Sequence, residues 1–498
     1  MPLSEKDTQS SSNTSDDKNS SPSAANDKLA KHADKINQLE NALTSTLHFQ
    51  GDPRTTYNLQ ERMQHYKVPA VSIALIDQGE IAWAKSWGVK NVDTQEPVTP
   101  NTLFQAASIS KKVAALGALR MVETGQLSLD QPINNYLTRW QLPENDFTKD
   151  VPVTLTHLLS HTGGTTVHGF RGYAQTEEQP TALHVLNGDA IANSDPVVVD
   201  TLPGTNFRYS GGGSTVYQVA MEDVSQKSFT QLMDELVLTP AGMTHSTYAQ
   251  PLPESYQGDV ASGHLSEGDA VPGGWHNYPT QSAASLWTTP SDLAQYSLSV
   301  INAYHGTEGQ GDTGTVLSKP ICDQMLTEQQ SAWGLGPRLF MDEGKTIGFH
   351  HGGANEGYRC NSVAFLDGRG AVVMTNSDVG DDLLIEIMAA AAEVYDWPAY
   401  KPQVIEWLPF TDNEKTDYAG EYTFVHEGET YTVTVEFYGE GFAITFPWFK
   451  TPVAFRLTDR KDDTAHCMGG VNIPIPVVFS KDEAGKSIAT SGDIVFSQ

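Results

Sequence analysis

The sequence predicts an α/β (α+β) body followed by a small all-β domain, and three stretches carry that expectation. Residues 70–87 read as two apolar strands, Ala70–Ile76 and Ile81–Trp87, around the turn Asp77-Gln78-Gly79-Glu80. After Ser108, apolar residues recur at helical steps through Val113, Leu116, Leu119 and Val122, and Gly125 closes the run as a C-cap would. Near the end of the chain, Tyr431, Val433, Val435 and Phe437 alternate with Thr430, Thr432, Thr434 and Glu436, the period of a half-buried strand.

Taken in order, the chain of 498 residues is too long for one core and implies about two to four domains. Residues 1–27 form a polar tract in which eight of the first twenty-three are Ser, too polar to offset chain entropy, so disorder is expected. It lacks the basic start and apolar stretch of a secretory signal. A cytoplasmic protein, or a periplasmic or secreted one whose export signal was removed, both fit. Leu29, Ile36, Leu39, Leu43 and Leu47 then share one helical face by spacing. Residues 28–400 mix apolar helices with long Gly/Pro/Thr-rich connections. A boundary falls near 401–410, and residues 411–498 read as an antiparallel β domain, with further strands at Ala443–Phe446, Val453–Leu457 and Val477–Phe479.

Composition removes several function classes. With 61 acidic residues against 31 Lys and Arg, the net charge of −30 repels phosphate backbones, so nucleic acid is not an expected partner. No apolar run is long enough to span a membrane. Cys322, Cys360 and Cys467 are widely spaced and read as buried free thiols. There is no G-x-S-x-G, H-E-x-x-H or P-loop. The one G-x-G-x-x-G, residues 309–314, lies in a polar loop rather than between strand and helix, so no nucleotide site is assigned. His161 and His168 match no zinc spacing and are expected to shape a cleft edge, with no metal.

The chemistry points to Ser108. It stands at the head of the apolar helix, with Lys111 one turn later on the same face. A helix N-terminus favours an alkoxide, and a desolvated amine within one turn can take the hydroxyl's proton. Ser is also a preferred N-cap, and S-x-x-K recurs at Ser15–Lys18, so the pair alone does not decide. Two further segments bear on it: Pro203-Gly204-Thr205-Asn206-Phe207-Arg208-Tyr209-Ser210-Gly211-Gly212-Gly213, and Phe349-His350-His351-Gly352-Gly353-Ala354-Asn355-Glu356-Gly357-Tyr358. Glycines there let backbone approach a ligand closely.

These segments, in this order, resemble the serine β-lactamase and penicillin-binding-protein superfamily, above all class C β-lactamases, family VIII carboxylesterases and D-aminopeptidases. Residues 153–164, 238–243 and 286–294 add to the likeness, which covers roughly residues 50–400. It implies a β-lactamase/transpeptidase-like domain, an antiparallel sheet flanked by helices. The terminal domain resembles lipocalin-like barrels appended to some members, where it would cover the cleft, mediate subunit contacts or merely stabilise.

By the resemblance, Ser108 is the acylated nucleophile, Lys111 its proton partner, and Tyr209 the general base together with the lysine. His351-Gly352-Gly353 stands where many members carry Lys-Thr-Gly, and the oxyanion hole is the N–H pair of Ser108 and Ala354. Beside a cationic Lys111, Tyr209 is expected to have a lowered pKa. Two departures matter. Gly211 replaces the Asn of Tyr-x-Asn that grips an acylamino group, and His351 removes a cation that would hold a β-lactam carboxylate. The expected activity is cofactor-free hydrolysis of a small-molecule ester ahead of a β-lactam or D-peptide. The rival is a penicillin-recognising sensor that acylates without turnover. Oligomeric state is left open.

Overall fold

A computed structural model describes residues 22–307, 314–426, 428–449, 451–470 and 472–498. Most of the polar N-terminal tract, and residues 309–313 of the Gly-x-Gly-x-x-Gly stretch, lie outside them. Residues 22–27 open a helix, Pro22–Lys31, where the composition predicted disorder. Tertiary packing explains the difference: Leu29 reaches an apolar cluster containing Leu39 and Trp83, and Lys28 Nζ donates to the Ile81 carbonyl at 2.9 Å. A second helix, Ala33–Glu40, buries Ile36 and Leu39, but the helical face ends there. Leu43 pairs with Tyr57 in an isolated bridge, and Leu47 begins the strand Leu47–Phe49. Between them lie Thr44, Ser45 and Thr46, whose hydroxyls compete for backbone partners; Thr44 Oγ1 donates to the Thr55 carbonyl at 2.8 Å.

The body is built on a six-stranded antiparallel sheet. Its order is Glu80–Gly88, Ala70–Asp77, Gly370–Thr375, Tyr358–Phe365, Lys345–Asn355 and Arg338–Asp342. Alternation places Ala74, Val372 and Ala364 in the core on one face, and Ile73, Leu75, Val373 and Phe365 in the core on the other. Both faces are covered, so the central strands read as continuous apolar runs. The helix Ile109–Glu123 packs on the first face through Val113 and Leu116, and the helix Asp381–Val394 packs on the second through Leu383 and Ile387. The three cysteines are free and buried.

The C-terminal strands form a closed eight-stranded antiparallel barrel in which each pairs with its sequence neighbour, and Thr423 opposite Ser497 closes the ring. Tyr422, Phe424, Phe442, Phe455, Phe479 and Phe496 fill its interior. The strand Gln403–Ile405 joins it to the body by pairing in parallel with Leu47–Phe49. Asn472 Nδ2 of the barrel donates to Asp382 Oδ1 at 3.0 Å and to Tyr66 Oη at 3.4 Å, and Arg456 pairs with Asp52 at 3.0 Å. These anchors lie with the helices of the second sheet face, opposite Ile109–Glu123. Among the described residues, the barrel's hydrogen bonds and ion pairs to the body do not reach Ser108, Lys111, Tyr209 or His351.

The helix Ile109–Glu123 sends two consecutive lysines inward. Lys112 is fully buried, with Nζ donating to Ser362 Oγ at 2.7 Å and standing 5.1 Å from the centre of the Tyr296 ring. Burial pushes its amine down from 10.5 to about 7. Between those values the unfolded chain binds the extra proton, so stability rises with pH there, by at most about 1.4 kcal/mol per unit for one group. Lys112→Met is therefore expected to stabilise the protein more at pH 7 than at pH 10, as read by urea unfolding at both. A gain independent of pH, or a loss at both, would refute the assignment.

Candidate active site

Ser108 follows the short strand Phe104–Gln105, which pairs with Trp287–Thr288. Ala107 between them has φ +47°, a left-handed conformation unusual for a residue with a side chain and typical of functional turns. Ser108 is the N-cap residue of Ile109–Glu123, yet its side chain makes no capping hydrogen bond. Its Oγ instead lies 3.0 Å from Lys111 Nζ, which also donates to the Ala283 carbonyl at 2.8 Å. Lys111 is 3% exposed, and burial alone brings its amine down from 10.5 to about 7. Near neutral pH a large share of this amine has a free lone pair beside the hydroxyl.

Tyr209 comes from a segment without regular structure, stretched between Arg208 N–H donating to the His161 carbonyl (2.8 Å) and Ser210 N–H donating to His161 Nδ1 (3.2 Å). Its ring lies 5.0 Å from Lys111 Nζ and 4.4 Å from the His161 ring, and Ser108 stands close enough to its hydroxyl to favour the phenolate somewhat. The expected acidic tyrosine is not found. Burial raises the Tyr209 pKa, and nearby Ser108 only partly opposes it. The sequence argument assumed a cationic neighbour, but the same burial neutralises Lys111.

His351 lies on Lys345–Asn355 and is buried. Its Nδ1 donates to the Gly352 carbonyl at 2.6 Å, which leaves the Nε2 lone pair facing the Tyr209 hydroxyl at 3.5 Å. Burial, and then Lys111, hold its pKa well below 6.5, so the ring is neutral. The neighbouring strand Arg338–Asp342 pairs only as far as His350, leaving residues 351–355 unpaired by it. Gly353 is required here. A β carbon would lie 2.4 Å from the Ala106 carbonyl oxygen and 2.6 Å from Cys360 Sγ. Strand and nucleophile turn thus pass in contact, with exposed Ala354 next along. Asn355 Nδ2 ties the strand end down, donating to Gln105 Oε1 at 2.6 Å and the Ala284 carbonyl at 3.0 Å.

Gly211 is buried at the start of the helix Gly211–Ser225, its N–H donating to the His168 carbonyl at 2.9 Å. A β carbon would stand 3.0 Å from the Phe170 ring and 3.2 Å from that carbonyl oxygen. The loop around His168–Phe170 therefore fills the space beside residue 211. Phe170 also lines an open hollow of about 390 Å³ with Arg171, Ala354, Asn355, Glu356 and Arg359. A larger hollow of about 550 Å³, floored by Met63, Val68 and Trp87, shares no residue with the site.

Sequence reasoning brought together Ser108, Lys111, Tyr209 and His351, but it missed Trp333, Gln105 and the roles of His161 and Asn355. His161 and His168 pack against Tyr209, at 4.4 and 4.9 Å between rings. Trp333 lies 4.9 Å from the His161 ring and 5.6 Å from that of Tyr209. The one usable signal was an aromatic residue among glycines, Trp333-Gly334-Leu335-Gly336. Gly211→Asn, which restores the residue of Tyr-x-Asn, is expected to destabilise the protein by roughly 1–3 kcal/mol through overpacking against Phe170. Chemical denaturation measures this; unchanged stability would show that the loop yields freely.

The Beta-lactamase family model matches residues 57–395. Among curated proteins, the chain is 23% identical over 249 residues to "Protein flp" of Staphylococcus aureus, covering 47% of this chain and 44% of that one. It is 27% identical over 198 residues to "Esterase EstB" of Burkholderia gladioli, covering 38% of this chain and 49% of that one. The chain thus spans about half the length of the curated relatives it matches. Among solved structures, the octameric penicillin-binding protein homologue from Pyrococcus abyssi shares the fold, with TM-score 0.58 and 22% identity over 88% of this chain and 98% of that one. With more than half its length matched by that model, on an antiparallel sheet with a serine–lysine pair at the head of a buried helix, the chain belongs to the Beta-lactamase family.

Proposed function

We propose that the protein is a serine hydrolase working through an acyl-enzyme, with carboxylesterase-like preference. The observation that carries this reading is Lys111 Nζ at 3.0 Å from Ser108 Oγ, its amine brought to about 7 by burial. A neutral Lys111 takes the Ser108 proton as Oγ attacks the carbonyl carbon. The N–H groups of Ser108 and Ala354 receive the oxyanion. Tyr209, protonated beside Ser108, relays the proton to the leaving alkoxide, and His351 holds that phenol. Water then attacks the acyl-Ser108 ester by the reverse proton path, releasing the acid.

The preference for esters rests on three supports. The reacting centre has no fixed cation in place of the Lys of Lys-Thr-Gly, because His351 is neutral. Residue 211 has no amide to grip an acylamino group. EstB, a relative at 27% identity, is named an esterase.

Turnover of p-nitrophenyl butyrate, compared with nitrocefin, tests the reading. Ser108→Ala is expected to abolish ester turnover, while Lys111→Ala and Tyr209→Phe each lower kcat by roughly 10²–10⁴. Faster nitrocefin turnover would point to a β-lactamase, and a stable adduct without turnover to a sensor. Since Lys111 acts as the neutral amine, kcat/KM should rise with pH through about 7 and then level. A profile flat from pH 6 to 8 would remove Lys111 from the role of base.

A further inference from the structure

Trp333, to which the chemistry assigns no role, touches four rings of the site. Its ring is stacked on Phe207 at 5.5 Å and 25°, meets His161 edge-on at 4.9 Å and 90°, and meets His351 at 5.4 Å and 78°. It also contacts Tyr209 at 5.6 Å. These partners come from three distant parts of the chain, and each bears on the phenol. His161 bonds the backbone on both sides of Tyr209, Phe207 precedes it by two residues, and His351 faces its hydroxyl.

Tyr209 needs such a support. Its segment has no strand or helix ladder, and its hydroxyl's contact to His351 is long, at 3.5 Å. Trp333, 7% exposed, is held in turn. Its N–H donates to the Gln330 carbonyl at 2.9 Å, and its carbonyl accepts from Gln329 N–H at 2.7 Å. Gly336 N–H, three residues on, donates to the carbonyl of Leu159, two residues before His161. Ser331 and Ala332 are both left-handed, with φ of +54° and +60°. Two successive residues with side chains in that region carry backbone strain, which collects at functional sites.

We infer that Trp333 is a positioning residue for Tyr209, fixing the phenol ring so that its hydroxyl stays beside Ser108 and His351. This rests on the hydrolase reading above. A wedge behind a proton relay acts on the geometry of reaction more than on substrate affinity.

The test is a double-mutant cycle on p-nitrophenyl butyrate turnover by the full chain, with Trp333→Ala, Trp333→Phe, Tyr209→Phe and the double variant. Trp333→Ala is expected to lower kcat by roughly 10–100-fold with KM changed less than about threefold, and Trp333→Phe to restore most of the rate. In the Tyr209→Phe background, Trp333→Ala should cost less than about threefold more, because the group it positions is gone. Equal losses in both backgrounds would overturn the inference, as would a rise in KM at constant kcat. Should Trp333→Ala fail to fold, Trp333→Leu completes the cycle on the same criteria, with Trp333→Phe still the restoring variant. Ser108→Ala run in parallel keeps the two readings apart: turnover that survives it refutes the hydrolase assignment itself, whatever Trp333 does.

Discussion

The site depends on one amine being kept from water without a carboxylate to balance it. A lysine 3% exposed, bonded to a carbonyl and a hydroxyl, cannot hold its proton at the ordinary pKa of 10.5. Its environment is supplied by the helix that carries it, the short helix Gln281–Ala284, and the rings of Tyr209 and His351. Each of these elements is placed by the core on one sheet face. Loosening that packing would rehydrate the ammonium, and a charged Lys111 has no lone pair for the Ser108 proton.

Close backbone contact is the second condition. Gly353 lets a sheet strand run against Ala106 and Ala107, and left-handed Ala107 turns the chain into the nucleophile helix. The head of the nucleophile helix and the end of the strand are thereby held against each other. Such preorganisation lowers the reorganisation needed when charge develops on a carbonyl oxygen. The Asn355–Gln105 hydrogen bond holds the two pieces in register.

Local periodicity was legible, and convergence across the chain was not. The hairpin at 70–87 and the alternation at 430–437 are local patterns, and all three strands appear where the spacing put them. Ser108 and Lys111 sit one helical turn apart, so their contact follows from one helix. Leu43 and Leu47 kept helical spacing but left the helix, because three hydroxyl residues separate them and the extended chain still buries both. The contact of Tyr209 with His351 spans 142 residues and left only motif resemblance as a guide. The acidity of Tyr209 was misjudged because charge attraction from Lys111 was counted, whereas burial acts on both groups and removes the charge that would attract.

Burial also sets the electrostatic character of the reacting centre. His161, pushed down to about 3, and His351 are neutral, Tyr209 keeps its proton, and Lys111 is partly discharged near pH 7. The head of the nucleophile helix contributes partial positive charge there, and it favours an oxyanion formed in place. In the proposed reaction a neutral ester meets no charge to displace on entry. Its product is a carboxylate, which finds no fixed cation at the centre and a protein of net charge −30 around it. The same neutrality that makes the amine a base near pH 7 therefore also favours departure of the acid.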